Sequence, residues 1–422
     1  MPQKTTAQPP QTSQPVETSP DKTPHSYSDT PAESGLTVAQ IATNLEDIAS
    51  TQDIISMADY LLAENGHSMV ISAGGARQEE VLKTGSIYHD LPFKSREEDG
   101  HYGFFSAMRM GFRLSQILST SKADVVHLHS QSLTWPVYIA CKLSKKPLLV
   151  KVDDPLGSVK HAPISLFKKV PLITTIEKHK KQLIHLGVPE ALITVVPPAY
   201  NSLIYTPQKT DVDKVDALWA EWDVPAATRV MLVPTRRLED SAGLDKFIQA
   251  LTPLQGFPFK AIISGDYSQN QVEFTELWQQ VESHDLSKHV LFIGAITDPT
   301  NTYAAADMVV CPHQYTPPVC RSPLRGQAMG KPVIASDLDE HREIITHDET
   351  GWLFSVENPG KLTEILKKAL ADNVRLHKMG GKGAKQVPQT NSYKVICPMI
   401  FDLYQTLVPE KATRKTKKNA TQ

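Results

Sequence analysis

The 422-residue chain is short of the residues that would commit it to a simple class. It has only four cysteines, Cys141, Cys311, Cys320 and Cys397, none in CxxC spacing and none set among histidines. That pattern excludes a disulfide framework and a cysteine-based zinc site, and it fits a reducing compartment. Charge of one sign is also missing. The 44 Lys and Arg nearly balance the 46 Asp and Glu, leaving a formal net charge of −2, so no global field draws nucleic acid. No apolar run is long enough to cross a bilayer. The first residues contain no apolar segment of the kind a signal peptide needs. One local absence matters more than these: no Asp or Glu occurs between Asp307 and Asp337.

The two ends differ from the rest. Residues 1–35 are rich in Pro, Thr, Ser and Gln and offer almost nothing to bury, which predicts a disordered segment. Residues 411–422, KATRKTKKNATQ, are basic and polar. They read either as a frayed terminus or as a weak electrostatic hold on anionic lipid.

Between these ends, short apolar runs alternate with amphipathic stretches. LTVAQIA, SMVIS, ADVVHLHS, KPLLVKVDD and PLITT are candidate strands. DIISMADYLLAENGH has apolar residues at helical spacing and ends in Asn-Gly, a good C-cap. Helices are also expected near 107–119, 135–143 and 177–186. A polar, charged stretch at 208–229 follows, and then the pattern restarts. RVMLVPT, FKAIISGD, HVLFIGA, DMVVCP, KPVIASD and TGWLFSV are strands, with helices near 243–254, 271–283 and 361–371. Strands alternating with helices predict parallel sheets covered on both faces. The restart predicts two α/β domains with a cleft between them, and ligands in such sheets bind beyond the carboxyl ends of the strands. His127 and His129 alternate on one strand, so one is expected to face the core edge and the other the cleft.

In the second half, RRLEDSAGLDKFIQAL, FKAIISGDYSQ, HVLFIGAITDPTNTYAAADMVVCPHQY, GQAMGKPVIASD and HDETGWLFSVENPGKLTEIL occur in that order. Together they resemble glycosyltransferase family 4, and they cover 229–387 almost without gaps. The first half resembles it through LLAENGHSMVISAGG, ADVVHLHSQSLTWPVYIACKLSKKPLLVKVDD and LIHLGVPEALITVVPPAYNSLIYTP. The run SYKVICPMIFDLYQTLV resembles the family's terminal helix. The nearest likeness is to bacterial members that build cell-envelope polysaccharide or lipopolysaccharide core.

The resemblance implies the GT-B fold: two Rossmann-like domains facing a central cleft, with a C-terminal helix crossing back to the first. It places an acceptor domain at 36–205, a nucleotide-sugar donor domain at 206–393 and the crossover helix at 394–410. It implies no metal and no cofactor, the nucleotide-sugar being a substrate. Positive side chains and helix N-termini then stabilise the leaving diphosphate. Arg237 takes the position of the family's phosphate-binding Arg, with Arg236 adjacent. The partner Lys position falls on Ala242. Gly265, Asp266 and Gly294 take donor-pocket positions. The family's two Glu, which contact the sugar and the ribose, become Pro317 and Arg325. Pro has no side-chain acceptor, and Arg has five donors and no acceptor. Arg321 and Arg325 would make a doubly positive pocket suited to phosphate or carboxylate.

Elsewhere the family's loop glycines fall on Ile48 and Ala49, and a second Gly-Gly pair on Asp339 and Glu340, which would repel a diphosphate. Glu343 keeps the family's Glu. The acceptor-side His becomes Asp153, a candidate base or polar contact; the alternative is that Asp153 and Asp154 simply begin a turn.

The function so implied is transfer of a sugar from a nucleotide-sugar to an envelope glycan or glycolipid, by the retaining route. The implied place is the cytoplasm or the inner face of its membrane, with no nucleic-acid partner. The alternative is a non-catalytic homologue that binds or scaffolds. Arg109, Arg113 and Lys122 form a basic stripe, read as a membrane contact or as the solvated face of a helix.

Overall fold

The computed structural model describes residues 35–46, 49–93, 104–153, 164–238, 243–268, 271–315 and 321–408. The two termini, Ile48, Asp154, Ala242, Pro317 and Cys320 lie outside these residues. The first lobe runs β1 (Thr37–Ile41), α1 (Ala49–Ala63), β2 (His67–Ser72), α2 (Gln78–Lys83), β3 (Ile87–Asp90), α3 (Phe104–Thr120) and β4 (Val125–Leu128). It continues through α4 (Thr134–Ser144), β5 (Leu148–Lys151), α5 (Ile164–Phe167), β6 (Leu172–Thr174), α6 (Glu177–His185) and β7 (Ile193–Val195).

The second lobe runs α7 (Val212–Glu221), β8 (Arg229–Arg237), α8 (Leu244–Leu251), β9 (Phe259–Asp266), α9 (Gln271–Ser283), β10 (Val290–Phe292) and α10 (Pro299–Ala304). There follow β11 (Met308–Cys311), α11 (Ser322–Ala328), β12 (Val333–Ser336), α12 (Asp339–Arg342), β13 (Gly351–Phe354), α13 (Pro359–Ala371), α14 (Asn373–Thr390) and α15 (Tyr393–Leu407).

Each lobe is built on one parallel sheet, ordered β3-β2-β1-β4-β5-β6-β7 in the first and β10-β9-β8-β11-β12-β13 in the second. The apolar runs explain why. β4, β5, β11 and β12 are buried at every position, which suits strands covered by helices on both faces. Strand order reverses between β1 and β4 and between β8 and β11. At such reversals the flanking loops part and leave a crevice at the carboxyl ends.

Several elements were not expected from the sequence, β3, α7 and α14 among them. The edge strand β3 leaves Ile87 and Asp90 exposed, so its sequence lacks the buried alternation that marks a strand. Residues 208–229, which read as polar and charged, contain α7. Asp211 caps it by accepting from the Asp213 and Lys214 amides, and Val215 and Trp222 pack into the second lobe's core. The Gly-rich run inside α14 serves close packing. A Cβ on Gly380 would lie 1.9 Å from the Gly330 carbonyl oxygen, and one on Gly383 would lie 3.0 Å from Gln327 Cβ.

The terminal helix α15 returns to the first lobe. Ile396, Cys397 and Tyr404 are buried there with Val38, Met57, Leu61 and Val125. Among the described residues no helix is long and apolar enough to cross a membrane. Cys141, Cys311 and Cys397 are buried.

Candidate functional site: two crevices joined by a buried charge chain

In the second lobe the β8, β9 and β10 ends stand side by side. Arg237 pairs in register with Asp266, and the Gly265 amide donates to the Gly294 carbonyl at 2.8 Å. Arg236 is exposed at the end of β8; the Arg237 side chain lies outside the described part. Asp266 is exposed and accepts from the Ser268 amide at 2.9 Å. Gly294 has φ +67°, a left-handed conformation that favours glycine. Gly243, which enters α8, has φ +61°, and a Cβ there would lie 2.0 Å from the Pro312 carbonyl oxygen. A glycine is thus what lets the loop after β8 close against the loop after β11, across the strand-order reversal.

The two arginines expected to share one pocket have different neighbours. Arg321, only 5% exposed, reaches into the first lobe and donates from Nη2 to Asp53 Oδ1 at 2.5 Å. Arg325 lies over the Tyr205 ring, 4.9 Å from its centroid, a cation–π contact within its own lobe. The pair does not form a joint anion pocket, because each guanidinium already faces a protein partner.

In the first lobe Asp153 lies two residues beyond β5, which ends at Lys151; the Lys151 Nζ lies 3.1 Å from Asp153 Oδ2 and 3.0 Å from Asp53 Oδ2. The result is an alternating chain, Arg321–Asp53–Lys151–Asp153. Burial alone would raise the Asp53 carboxyl, but Arg321 and Lys151 overcome it and hold Asp53 well below the usual carboxylate range. Asp153 goes the other way. Burial raises it, and Lys151 offsets this only in part. Its Oδ1 is buried with no hydrogen-bond partner among the described residues. Lys151 is raised because Asp153 and Asp53 outweigh the burial that would lower it.

His127 and His129 do not face opposite ways as alternation predicts. Both line a void of ≈ 30 Å³ with Asp53, Lys151 and Arg321, and their ring centroids are 4.0 Å apart. β4 stops at Leu128, although the His129 amide still donates to Ile41 O at 2.8 Å. Gln40 Nε2 donates to Ile54 O and Ser68 Oγ, which leaves Gln40 Oε1 to accept from His129 Nε2 at 3.1 Å. His127 Nδ1 lies 2.6 Å from the Tyr404 hydroxyl. Burial keeps both rings neutral, with His129 pushed down to about 3 against the pull of Asp53. His127 Nε2 and His129 Nδ1 have no partner among the described residues.

Sequence reasoning missed Asp53, Tyr393 and Lys151 as a set. The available signal was the lysine inside KPLLVKVDD, since a lysine in a fully buried strand requires a buried acid.

The lobes meet a second time through α12. The Glu177 amide at the start of α6 donates to Glu343 at 2.9 Å, Lys178 pairs with Asp339 at 2.5 Å, and His179 lies 3.5 Å from Glu340. Asp339 and Glu340, expected to repel a diphosphate, instead face Lys178 and His179 of the opposite lobe, and Glu343 caps the N-terminus of α6, where a carboxylate is stabilised.

Known proteins bear on these two crevices. Lipopolysaccharide core biosynthesis mannosyltransferase LpsB of Rhizobium meliloti is 24% identical over 179 residues, 41% of this chain and 50% of its own length. The crystal structure of a glycosyltransferase from Rickettsia africae superposes with a TM-score of 0.80 at 19% identity, covering 88% of this chain and 98% of that one. HepE of Anabaena, solved in complex with UDP and glucose, superposes with a TM-score of 0.75 at 19% identity, covering 88% of this chain and all of that one. These likenesses establish the GT-B architecture. Residues 224–386, most of the second lobe, match the family model described as Glycosyl transferases group 1.

Proposed function

We propose that the chain transfers a sugar from a nucleotide-sugar to an envelope glycan or glycolipid acceptor, by the retaining route. The observation that carries this reading is the single edge formed by Arg236, Arg237, Gly265, Asp266 and Gly294. It lies at the strand-order reversal of the second sheet, inside the segment that matches the glycosyltransferase family. HepE, of the same fold, was solved with UDP and glucose, and a nucleoside diphosphate-sugar is the donor class proposed here. Arg237 would stabilise the departing diphosphate, a charge-assisted contact of the kind that strengthens as charge develops. Asp153, with one carboxylate oxygen on Lys151 and the other unpartnered, would meet the acceptor hydroxyl at the first-lobe crevice.

One observation favours a second reading, a non-catalytic homologue that binds or scaffolds. Pro317 and Arg325 stand where the family's acids belong, while Arg321 and Arg325 already face Asp53 and Tyr205. Calorimetry with UDP-, GDP- and ADP-sugars separates the two. The transferase reading expects at least about micromolar affinity for one donor, roughly −8 kcal/mol. A folded sample that gives no heat with any of them would sink it. Pro317→Glu combined with Arg325→Glu should tighten donor binding; no change would mean the pocket lacks more than its acids.

The proposed place of action is the inner face of the cytoplasmic membrane. On α3, Arg109 and Arg113 are exposed on the same helix as Phe105 and Phe112, a basic and aromatic surface suited to an anionic interface. Co-sedimentation with vesicles of phosphatidylglycerol, but not of phosphatidylcholine, is expected, and Arg109→Glu with Arg113→Glu should abolish it.

A further inference from the structure

Asp53 is contacted from three separately encoded parts of the molecule. It sits on α1 of the first lobe. Its Oδ1 accepts from Arg321 Nη2 of the second lobe at 2.5 Å and from the Tyr393 hydroxyl, at the start of the crossover helix, at 2.8 Å. Its Oδ2 accepts from Lys151 Nζ at 3.0 Å. The two passages of the chain between the lobes are bonded to each other. The Tyr200 amide donates to Asn391 O at 2.9 Å, the Tyr393 amide to Tyr200 O at 3.3 Å, and Asn391 Nδ2 to Pro198 O at 3.0 Å. Two short, paired segments resist pulling the lobes apart but offer little resistance to rotation about them.

We infer that Asp53 is the stop on this hinge, fixing the angle between the lobes by holding Arg321 and Tyr393 on one carboxylate. The electrostatics make the stop two-positioned. While the pair is buried, parting it would strand a charge in a dry interior, which is costly. Once the lobes rotate far enough to admit water, both charges are hydrated and the attraction largely vanishes. The α6–α12 contact cannot substitute. Its Lys178 and Asp339 side chains are 46% and 37% exposed, and such pairs contribute little. The consequence for sugar transfer, that this angle sets how the donor edge faces Asp153, rests on the function proposed above; the hinge itself does not.

The test uses the full chain without any nucleotide. Hydrogen exchange at the Tyr200 and Tyr393 amides and small-angle X-ray scattering are compared for the wild type, Asp53→Asn, Arg321→Gln and the double variant. Asn preserves the size but removes the charge and turns one of the two accepting oxygens into a donor. Each single change is expected to speed exchange at both amides by about tenfold or more and to enlarge the radius of gyration, with the double variant adding little to either. Wild-type exchange and scattering in folded single variants would overturn the inference. If both single variants fail to fold, Tyr393→Phe, which deletes one hydroxyl, should speed the same amides by about threefold, and no change there would overturn it equally. Lys178→Ala should leave the scattering as it is; opening of the lobes as wide as in Asp53→Asn would move the stop to α6 and α12. Because no donor is present, a negative result leaves the transferase reading intact, and a failed donor titration leaves the hinge intact.

Discussion

At the reversal of the first sheet the polar groups are buried and bonded to one another. Asp53, Lys151 and Asp153 form a charge chain, and His129 hangs from Gln40. At the reversal of the second sheet Arg236 and Asp266 are exposed, beside loops that turn at Gly243 and Gly294 in left-handed conformations. The same topology therefore carries two kinds of polarity. One is dry and largely paired within the protein, and its Arg321–Asp53 contact holds the lobes together. The other is wet and lined by main chain, so a charged ligand can approach it from solvent. Arg321 shows the difference most clearly. By sequence it belongs to the second crevice, yet its guanidinium is part of the first.

Removing a charge from the dry side should have the largest effect. Lys151→Met leaves Asp53 and Asp153 facing each other without their shared cation. It should cost about 3–5 kcal/mol of stability in urea unfolding followed by circular dichroism. A cost below about 1 kcal/mol would mean the chain is more hydrated than its burial implies.

Next comes the backbone of the wet side. Gly243→Ala combines a left-handed φ with overlap on the Pro312 carbonyl oxygen. It should cost about 1–3 kcal/mol and weaken donor binding, whereas Gly256→Ala, with open space at its Cβ, should cost under about 1 kcal/mol.

A pH titration sharpens the comparison further. His129 has its folded value lowered from the ordinary 6.5 to about 3, and His127 is lowered in the same direction. Lowered values mean that the unfolded chain binds the extra protons first. These two rings therefore contribute full stability above about 6.5, and their contribution falls as pH drops from there toward about 3. The slope should be on the order of 1 kcal/mol per pH unit for each ring. His129→Asn should flatten it, and an unchanged slope would show that other groups govern acid unfolding. The smallest effect is expected at the exposed interlobe contact, where Lys178→Ala should shift stability by no more than about 0.5 kcal/mol.

Much of the architecture was readable in advance for a simple reason. Fully buried parallel strands must be continuous apolar runs, so FKAIISGD predicted β9 over the same residues that form it, and DMVVCP and KPVIASD marked β11 and β12. Elements whose sequence serves something other than a buried face were missed. β3 is a half-exposed edge. α14 carries glycines because Gly380 must approach Gly330. The gathering of Arg236, Arg237, Gly265, Asp266 and Gly294 at one edge was legible because they follow strand ends in chain order. The charge chain was not, since Asp53 and Arg321 are 268 positions apart and no local pattern links them.

The order of strands and helices, the two-lobe division and the loss of acids between Asp307 and Asp337 were set by the sequence alone, because apolar period and residue chemistry are local properties. Which charges meet was decided only by tertiary structure. Pairing a buried carboxylate is a demand the whole fold must meet at once, and here it was met by drawing Arg321 across the lobe boundary and Tyr393 from the far end of the chain.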